Sequence, residues 1–134
     1  MIPSVNTILN AELSVTSQLS KQHWMDLNKN RITRTCDGLE AVKQTVFKIL
    51  NTERYDYLIY SWNYGIELVD LYGQPPILVF PEIERRVTEA LLQDDRITGV
   101  DTFEFEETKK GVVFVTFTVH TIYGDLDEEM AVNI

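Results

Sequence analysis

The stretch VVFVTFTVHTIY, residues 112–123, alternates apolar and polar side chains along most of its length. This period of two indicates a β-strand, because successive side chains of a strand point to opposite faces of a sheet. One face of the predicted strand carries Val113, Val115, Phe117 and Val119. We expect that face to cover a hydrophobic core.

The same period extends to both sides of this strand. On the N-terminal side, Phe103 and Phe105 alternate with acidic residues, and EETKKG (residues 106–111) predicts a turn. On the C-terminal side, Gly124-Asp125 predicts a second turn before a last short strand. That strand consists of Met130, Ala131, Val132, Asn133 and Ile134. The sequence therefore predicts a three-stranded antiparallel meander whose last strand is an edge, either protected or completed by another chain.

Two amphipathic helices are predicted before the meander. Residues 38–51 place apolar side chains at helical spacing after Asp37-Gly38-Leu39-Glu40, which has the pattern of a capping box. The second helix is predicted to begin at Pro81 and to end near Asp94. Its apolar face carries Ile83, Val87, Ala90 and Leu91.

The N-terminal part of the chain is predicted to lack core residues. Residues 1–20 are rich in Ser, Thr and Asn and contain one charged side chain, which favours an extended arm that orders only on a partner. A short hairpin with its turn at residues 28–30 follows. We therefore expect the arm, 1–20, and one domain, 21–134. The predicted fold class is α+β, with the hairpin first and two main helices packed on the C-terminal meander.

Composition excludes several classes of function. The 134 residues include 21 acidic and 12 basic side chains, and a net charge of −9 argues against a nucleic-acid partner. The apolar runs are far too short to span a bilayer, and the N-terminus lacks a basic signal region, so we expect a soluble, non-secreted protein. The single cysteine, Cys36, excludes an internal disulfide and a thiol-rich zinc site, and it is interpreted as a buried thiol.

No residue pattern indicates catalysis or a cofactor. The nearest carboxylate pairs are Glu67 with Asp70 and Glu104 with Glu106, and both are interpreted as solvated surface groups. His23 and His120 are far apart in sequence and belong to no metal or triad motif. A glycine-rich phosphate loop is also absent from the sequence. The residues alone favour an acidic domain that binds other proteins.

Residues 54–68, RYDYLIYSWNYGIEL, contain four of the six tyrosines and one of the two tryptophans. Alternation over residues 57–62 predicts a short strand or extended segment covered on both sides. We expect Tyr57, Ile59 and Tyr64 to pack between the first helix and the sheet.

Several segments resemble the baseplate-wedge, sheath-initiator family of contractile phage tails and phage-tail-like bacteriocins. They are VKQTVFKILNTER (42–54), YGIEL (64–68), EALL (89–92) and DRI (95–97). Longer stretches, at residues 49–68 and 91–105, are similar to members encoded by defective prophages of Gram-positive bacteria. The resemblance covers about residues 32–134, and the spacing of several segments makes it specific.

The resemblance implies a structural component without catalytic residues. Such proteins surround the tail tube in six copies at the top of the baseplate and template the first sheath ring. The implied partners are the sheath protein, the baseplate wedge proteins and the tail tube, with assembly in the bacterial cytoplasm. Two alternatives stay open: a tail-associated peptidoglycan hydrolase, since some relatives carry lysozyme labels, and a protein-binding adaptor unrelated to tails.

The resemblance also implies candidate contact residues. The Glu-Pro-Arg signature of the family falls on Asp94, Asp95 and Arg96, so the arginine is kept and the proline is lost. Arg96 is either an anchor for a partner carboxylate or carbonyl, or part of an internal salt bridge between helix and sheet. Further candidates for the wedge or tube contact are Arg54, Tyr60 and Trp62, since these residue types dominate interface energetics. The strand 130–134 is the expected attachment point for a sheath strand.

Overall fold

The computed structural model describes residues 21–109 and 111–134, so the predicted arm, 1–20, lies outside the described residues. Within them the fold is α+β, as predicted: a two-stranded hairpin, two α-helices and a three-stranded antiparallel sheet. The elements in chain order are β1 (Gln22–Asp26), β2 (Arg31–Cys36), α1 (Gly38–Leu50), a 3₁₀ turn (Val69–Leu71), α2 (Pro76–Leu91), β3 (Ile97–Lys109), β4 (Val112–Thr121) and β5 (Gly124–Asn133). Neither helix is long and apolar enough to cross a membrane.

The sheet has the order β3-β4-β5, which confirms the predicted meander. Val113, Val115, Phe117 and Val119 are all buried, so the face of β4 predicted to be apolar covers the core. Buried residues of α1 and α2 complete this core on the same side of the sheet. The other face of the sheet is left uncovered by the described residues.

Both turns of the meander are placed differently from the prediction. β3 continues to Lys109, and β5 already begins at Gly124, so each connection is shorter than expected. The Gly124 carbonyl accepts a hydrogen bond from the Thr121 hydroxyl (2.6 Å), which closes the second turn over Ile122 and Tyr123. The predicted turn residues Gly124 and Asp125 are therefore strand residues.

Helix α1 begins at the predicted residue and ends one residue earlier than predicted, but it lacks the predicted capping box. The Asp37 carboxylate accepts a hydrogen bond from the Gly38 N–H (2.7 Å). Glu40, however, pairs with Arg34 of β2 instead of reaching back to the helix N-terminus. This ion pair attaches the hairpin to the start of the helix.

Helix α2 begins at Pro76, five residues before the predicted start. Pro76 occupies the first helical position, where a missing N–H costs nothing because that donor has no helical partner. Pro81 lies inside the helix and leaves the Ile77 carbonyl without its helical donor. Ile77 is 80% exposed, so water can satisfy that carbonyl. The predicted apolar face of the helix is buried, as expected.

The hairpin is fixed to α1 through the amide of Gln44. Its Nε2 donates to the His23 carbonyl (2.6 Å), and its Oε1 accepts from the Met25 N–H (2.8 Å). Gln44 is itself buried, so both backbone groups are paired where water has little access. Cys36 at the end of β2 is buried, as predicted.

Candidate protein-interaction surfaces

Residues 54–65, which we call the aromatic loop, form an exposed surface loop rather than the covered strand or extended segment predicted over residues 57–62. Its base is closed by two backbone hydrogen bonds, Arg54 N–H to the Ile66 carbonyl (3.1 Å) and Ile66 N–H to the Thr52 carbonyl (3.0 Å). Gly65 lies in this base with φ +93°, and a β-carbon there would be 2.6 Å from the Thr52 oxygen. Only glycine fits this close crossing without strain. The loop thus leaves and re-enters the fold at one fixed point.

The tip of the aromatic loop is exposed, which overturns the predicted core packing of Tyr57 and Ile59. Ile59 is 85% exposed, Trp62 is 82% exposed and Tyr57 is 54% exposed. Tyr64 packs against the core, as predicted. Tyr60 stacks on Tyr64 with ring centroids 4.4 Å apart, so the exposed ring of Tyr60 is connected to the core through Tyr64.

The Arg54 side chain spans the aromatic loop. Its Nε donates to the Trp62 carbonyl (2.6 Å), and its guanidinium lies 4.8 Å from the centre of the Tyr55 ring. Arg54 also approaches the Glu89 carboxylate of α2 at 3.8 Å. These contacts fix the far end of the loop to its base, so Arg54 positions Trp62.

Arg96 forms an internal ion pair with Asp94. Arg96 donates from Nε (3.0 Å) and from one terminal nitrogen (2.7 Å) to the two carboxylate oxygens of Asp94, and the same terminal nitrogen donates to the Thr45 hydroxyl of α1. Burial raises the pKa of Asp94, but hydrogen bonds from Arg96 outweigh burial and the net pKa is lowered. Of the two alternatives for Arg96, the structure contains the internal one. Asp95 is exposed beside the pair.

β5 pairs with β4 on one side and has no strand partner on the other among the described residues. Its pairing with β4 runs through ten consecutive residue pairs without a register shift. β3, the opposite edge, has three register shifts, which are typical of edges protected against further pairing. β5 is therefore the regular edge of this sheet.

The free backbone groups of β5 can be assigned from its ladder. The Ile134 N–H donates to the Gly111 carbonyl (2.8 Å). Hydrogen-bonded pairs alternate along an antiparallel ladder, so residues 125, 127, 129, 131 and 133 direct their N–H and C=O groups away from β4. The side chains of these residues lie on the uncovered face of the sheet.

A groove of about 480 Å³ lies beside the free edge of β5. Residues 24–28 of the hairpin form one wall, and α1 contributes Lys43, Gln44 and Phe47. From β5 the groove is lined by Glu128.

The uncovered face of the sheet is acidic. The register places six carboxylates on it, from Asp101, Glu104, Glu106, Asp125, Asp127 and Glu129. His120 lies between two of them, with Nδ1 2.8 Å from Asp125 and Nε2 2.9 Å from Asp101. Hydrogen bonds to both carboxylates raise the pKa of His120. The imidazole thus connects β3, β4 and β5 on this face.

The other candidate carboxylates have structural partners or lie on the open sheet face. Asp70 pairs with Arg86 of α2, and this interaction lowers the pKa of the Asp70 carboxyl. Glu104 and Glu106 lie on the uncovered sheet face, as predicted. In the part of the chain that the structure describes, acidic, histidine and cysteine residues do not gather into a group able to hold a metal ion.

Two comparisons with known proteins match this chain. The model of the family described as contractile injection system sheath initiator matches residues 16–124, which include every described element up to the first residue of β5. The phage-like element PBSX protein XkdS of Bacillus subtilis (strain 168) is 41% identical over 128 residues, covering 92% of this chain and 87% of that protein.

Proposed function

Because the chain belongs to the contractile injection system sheath initiator family, we propose that it begins sheath assembly by offering the free edge of β5 to a strand of the first sheath ring. Family membership makes it a structural component of a phage-tail-type particle that interacts with sheath and baseplate proteins. The attachment by strand pairing is the step we add.

The regular edge of β5 is the observation that carries this proposal. Its five outward residues, at positions 125, 127, 129, 131 and 133, provide backbone donors and acceptors in one uninterrupted row. The neighbouring groove provides space for the alternate side chains of an added strand. An added strand would thus gain both hydrogen bonds and side-chain packing, as in β-augmentation.

The remaining surfaces have roles in the same assembly. Six copies surround the tail tube, and the aromatic loop, held by Arg54 and presenting Tyr60 and Trp62, contacts a wedge or tube protein. The acidic sheet face attracts a basic partner surface during encounter.

The Asp94–Arg96 pair stabilises the connection between α2 and β3, and Asp95 is exposed beside it. Assembly takes place in the bacterial cytoplasm before the particle is released.

Substitution of Ala131 tests the edge. The Ala131 N–H points away from β4, so Ala131→Pro removes one outward donor without breaking the β4–β5 ladder. Ala131→Val keeps the donor and is the matched control. We expect electron microscopy to show baseplates without sheaths for the proline variant and complete particles for the valine variant. Normal sheaths on Ala131→Pro particles would refute strand pairing at β5.

A peptidoglycan hydrolase is the alternative with one specific observation in its favour. Glu128 lines the groove, and burial raises the pKa of its carboxyl, as a general acid requires. The other carboxylate of the groove, Asp26, accepts hydrogen bonds from the Asn28 and Lys29 amides in the hairpin turn. A zymogram on peptidoglycan decides this point: we expect no clearing by the purified protein, whereas clearing abolished by Glu128→Gln would establish the hydrolase.

A further inference from the structure

Glu128 is the exception in the inward-facing row of β5. The other members of that row are apolar and pack against the core: Leu126, Met130, Val132 and Ile134. Glu128 points to the same side, because it pairs with the buried Phe117 of β4. A carboxylate thus occupies a position where the strand otherwise carries hydrophobic side chains.

The Glu128 carboxylate has a buried oxygen without a hydrogen-bond partner among the described residues. This atom, Oε1, is closed off from solvent. Burial raises the pKa of Glu128, Lys43 opposes this effect, and the neighbouring Asp127 adds to it. Lys43 is exposed on α1 and makes no ion pair with Glu128 within 4.0 Å. A buried acceptor without a donor is unfavourable, so the site is incomplete in the described part of the chain.

An added strand would supply the missing group from a defined direction. Glu128 belongs to a residue pair that is hydrogen-bonded to β4, so its pairing with a strand on the other side is of the closely spaced, non-hydrogen-bonded type. The β-carbons of such pairs are about 4.5–5.5 Å apart. The side chain opposite Glu128 would therefore enter the groove beside its carboxylate.

We propose that the groove selects an extended strand carrying lysine or arginine at the position opposite Glu128, with apolar residues two positions to either side. This inference rests on strand pairing at β5 and adds the chemistry of the strand. The apolar neighbours would cover Leu126 and Met130, and the cation would donate to Glu128 while Phe47 and Trp24 cover its aliphatic stem. Residues 1–20 contain no lysine, arginine or histidine, so they do not supply a strand of this chemistry.

A strand fused to the protein tests this chemistry without an identified partner. We would append one threonine, an Asn-Gly turn and a strand of alternating valine and threonine after Ile134, so that the added strand folds back along β5 with its first hydrogen-bonded pair at the outward-facing added threonine. The residue opposite Glu128 would be lysine, norleucine or glutamate in three otherwise identical proteins. Hydrogen exchange of the β5 amides at residues 127, 129, 131 and 133 then measures how much of each fused strand is paired.

We expect lysine to raise the ratio of paired to unpaired strand roughly tenfold over norleucine, and glutamate to lower it. Glu128→Gln should abolish the preference for lysine. Glu129→Gln, which removes a carboxylate on the uncovered face, should leave the preference intact and is the matched control.

The possible failures are distinct. Equal protection with all three guest residues would overturn the selectivity and leave strand pairing intact. Absence of protection with every guest would overturn strand pairing and the selectivity together. Pairing that appears only with Glu128→Gln would show that Glu128 prevents an added strand from pairing with β5. This result would also overturn both strand pairing and the selectivity.

Discussion

Replacement of Trp62 by alanine should prevent particle assembly while leaving the domain folded. A fully covered tryptophan buries up to about 250 Å², and less than a fifth of Trp62 is covered because its exposed fraction is 82%. At about 25 cal/mol per Å², the domain therefore loses at most about 1 kcal/mol. The hydrogen bond from Arg54 ends on the backbone carbonyl of Trp62, so the substitution leaves its acceptor in place.

The expected effect on assembly is larger. A tryptophan at the centre of an interface contributes about 2 kcal/mol or more, which weakens a contact roughly thirtyfold when it is removed. Repetition of the contact around a ring would increase the loss further. Urea unfolding of the purified protein and electron microscopy of particles separate the two effects.

Tyr64→Ala is the control for the Trp62 substitution. Tyr64 belongs to the same loop but packs against the core and against Tyr60, so its removal should cost roughly 2–3 kcal/mol of folding free energy. Complete particles from Trp62→Ala would refute the assignment of the aromatic loop as a contact surface. Unfolding of Trp62→Ala to the extent seen with Tyr64→Ala would place Trp62 in the core.

Three further substitutions have defined outcomes. Arg96→Ala should lower the free energy of unfolding by roughly 1.5–3 kcal/mol, because the carboxylate of Asp94 loses its charged donor. The pKa of Asp94 is lowered in the folded state, so this stabilisation is present above about pH 3.8 and is lost as pH falls below that value. Urea unfolding of both proteins from pH 2 to 7 measures the effect. Gly65→Ala should destabilise the domain by roughly 1–3 kcal/mol, measured by thermal unfolding, because its β-carbon would clash with the Thr52 carbonyl at a positive φ. His120→Gln should be less stable than the wild type below about pH 6.5, and the difference in melting temperature should fade as pH rises. The reason is that the pKa of His120 is raised in the folded state, so the imidazole stabilises the fold only while it is protonated. A difference in melting temperature that stays constant from pH 5 to 9 would contradict the charged bridge.

The sheet was predictable from the sequence because its apolar residues alternate regularly and only one of its faces is covered. β4 is buried on one face only, so apolar residues recur at every second position and identify both the strand and the core face. Helix α1 has a comparable period, and its predicted bounds agree with the structure to one residue. In both elements local periodicity and tertiary burial favour the same conformation.

The predicted core packing of Tyr57 and Ile59 was wrong because their hydrophobic side chains were assumed to be buried. Tyr57 and Ile59 have strand-forming side chains, but the crossing at Gly65 turns residues 54–65 into a closed loop whose tip cannot reach the core. The start of α2 was missed for a related reason. Pro76 and Pro81 both suit a first helical position, and only the packing of Val79 in the core places the first turn before Pro81.

Glu128 was missed as a site residue although the sequence contains its signal. Once the strand is extended back to Gly124, every second residue from 126 to 134 is apolar except at position 128. The short strand predicted from residue 130 excluded that position from the row. A charge that interrupts an inward row at an edge either protects the edge or specifies what pairs there.

β5 is held firmly in its own domain, which matters if a strand of another protein is attached to it and pulled. Each of its ten residue pairs with β4 is in register, so a load along the strand is shared by the whole ladder instead of opening one hydrogen bond at a time. Val132 is 2% exposed, and Leu126, Met130 and Ile134 pack against the core, so extraction of β5 would also expose apolar surface. A strand added outside β5 would have the same alternating hydrogen bonds, but only the groove beside Glu128 for its side chains. Under load the added strand should therefore separate before β5 does, which would leave the domain folded.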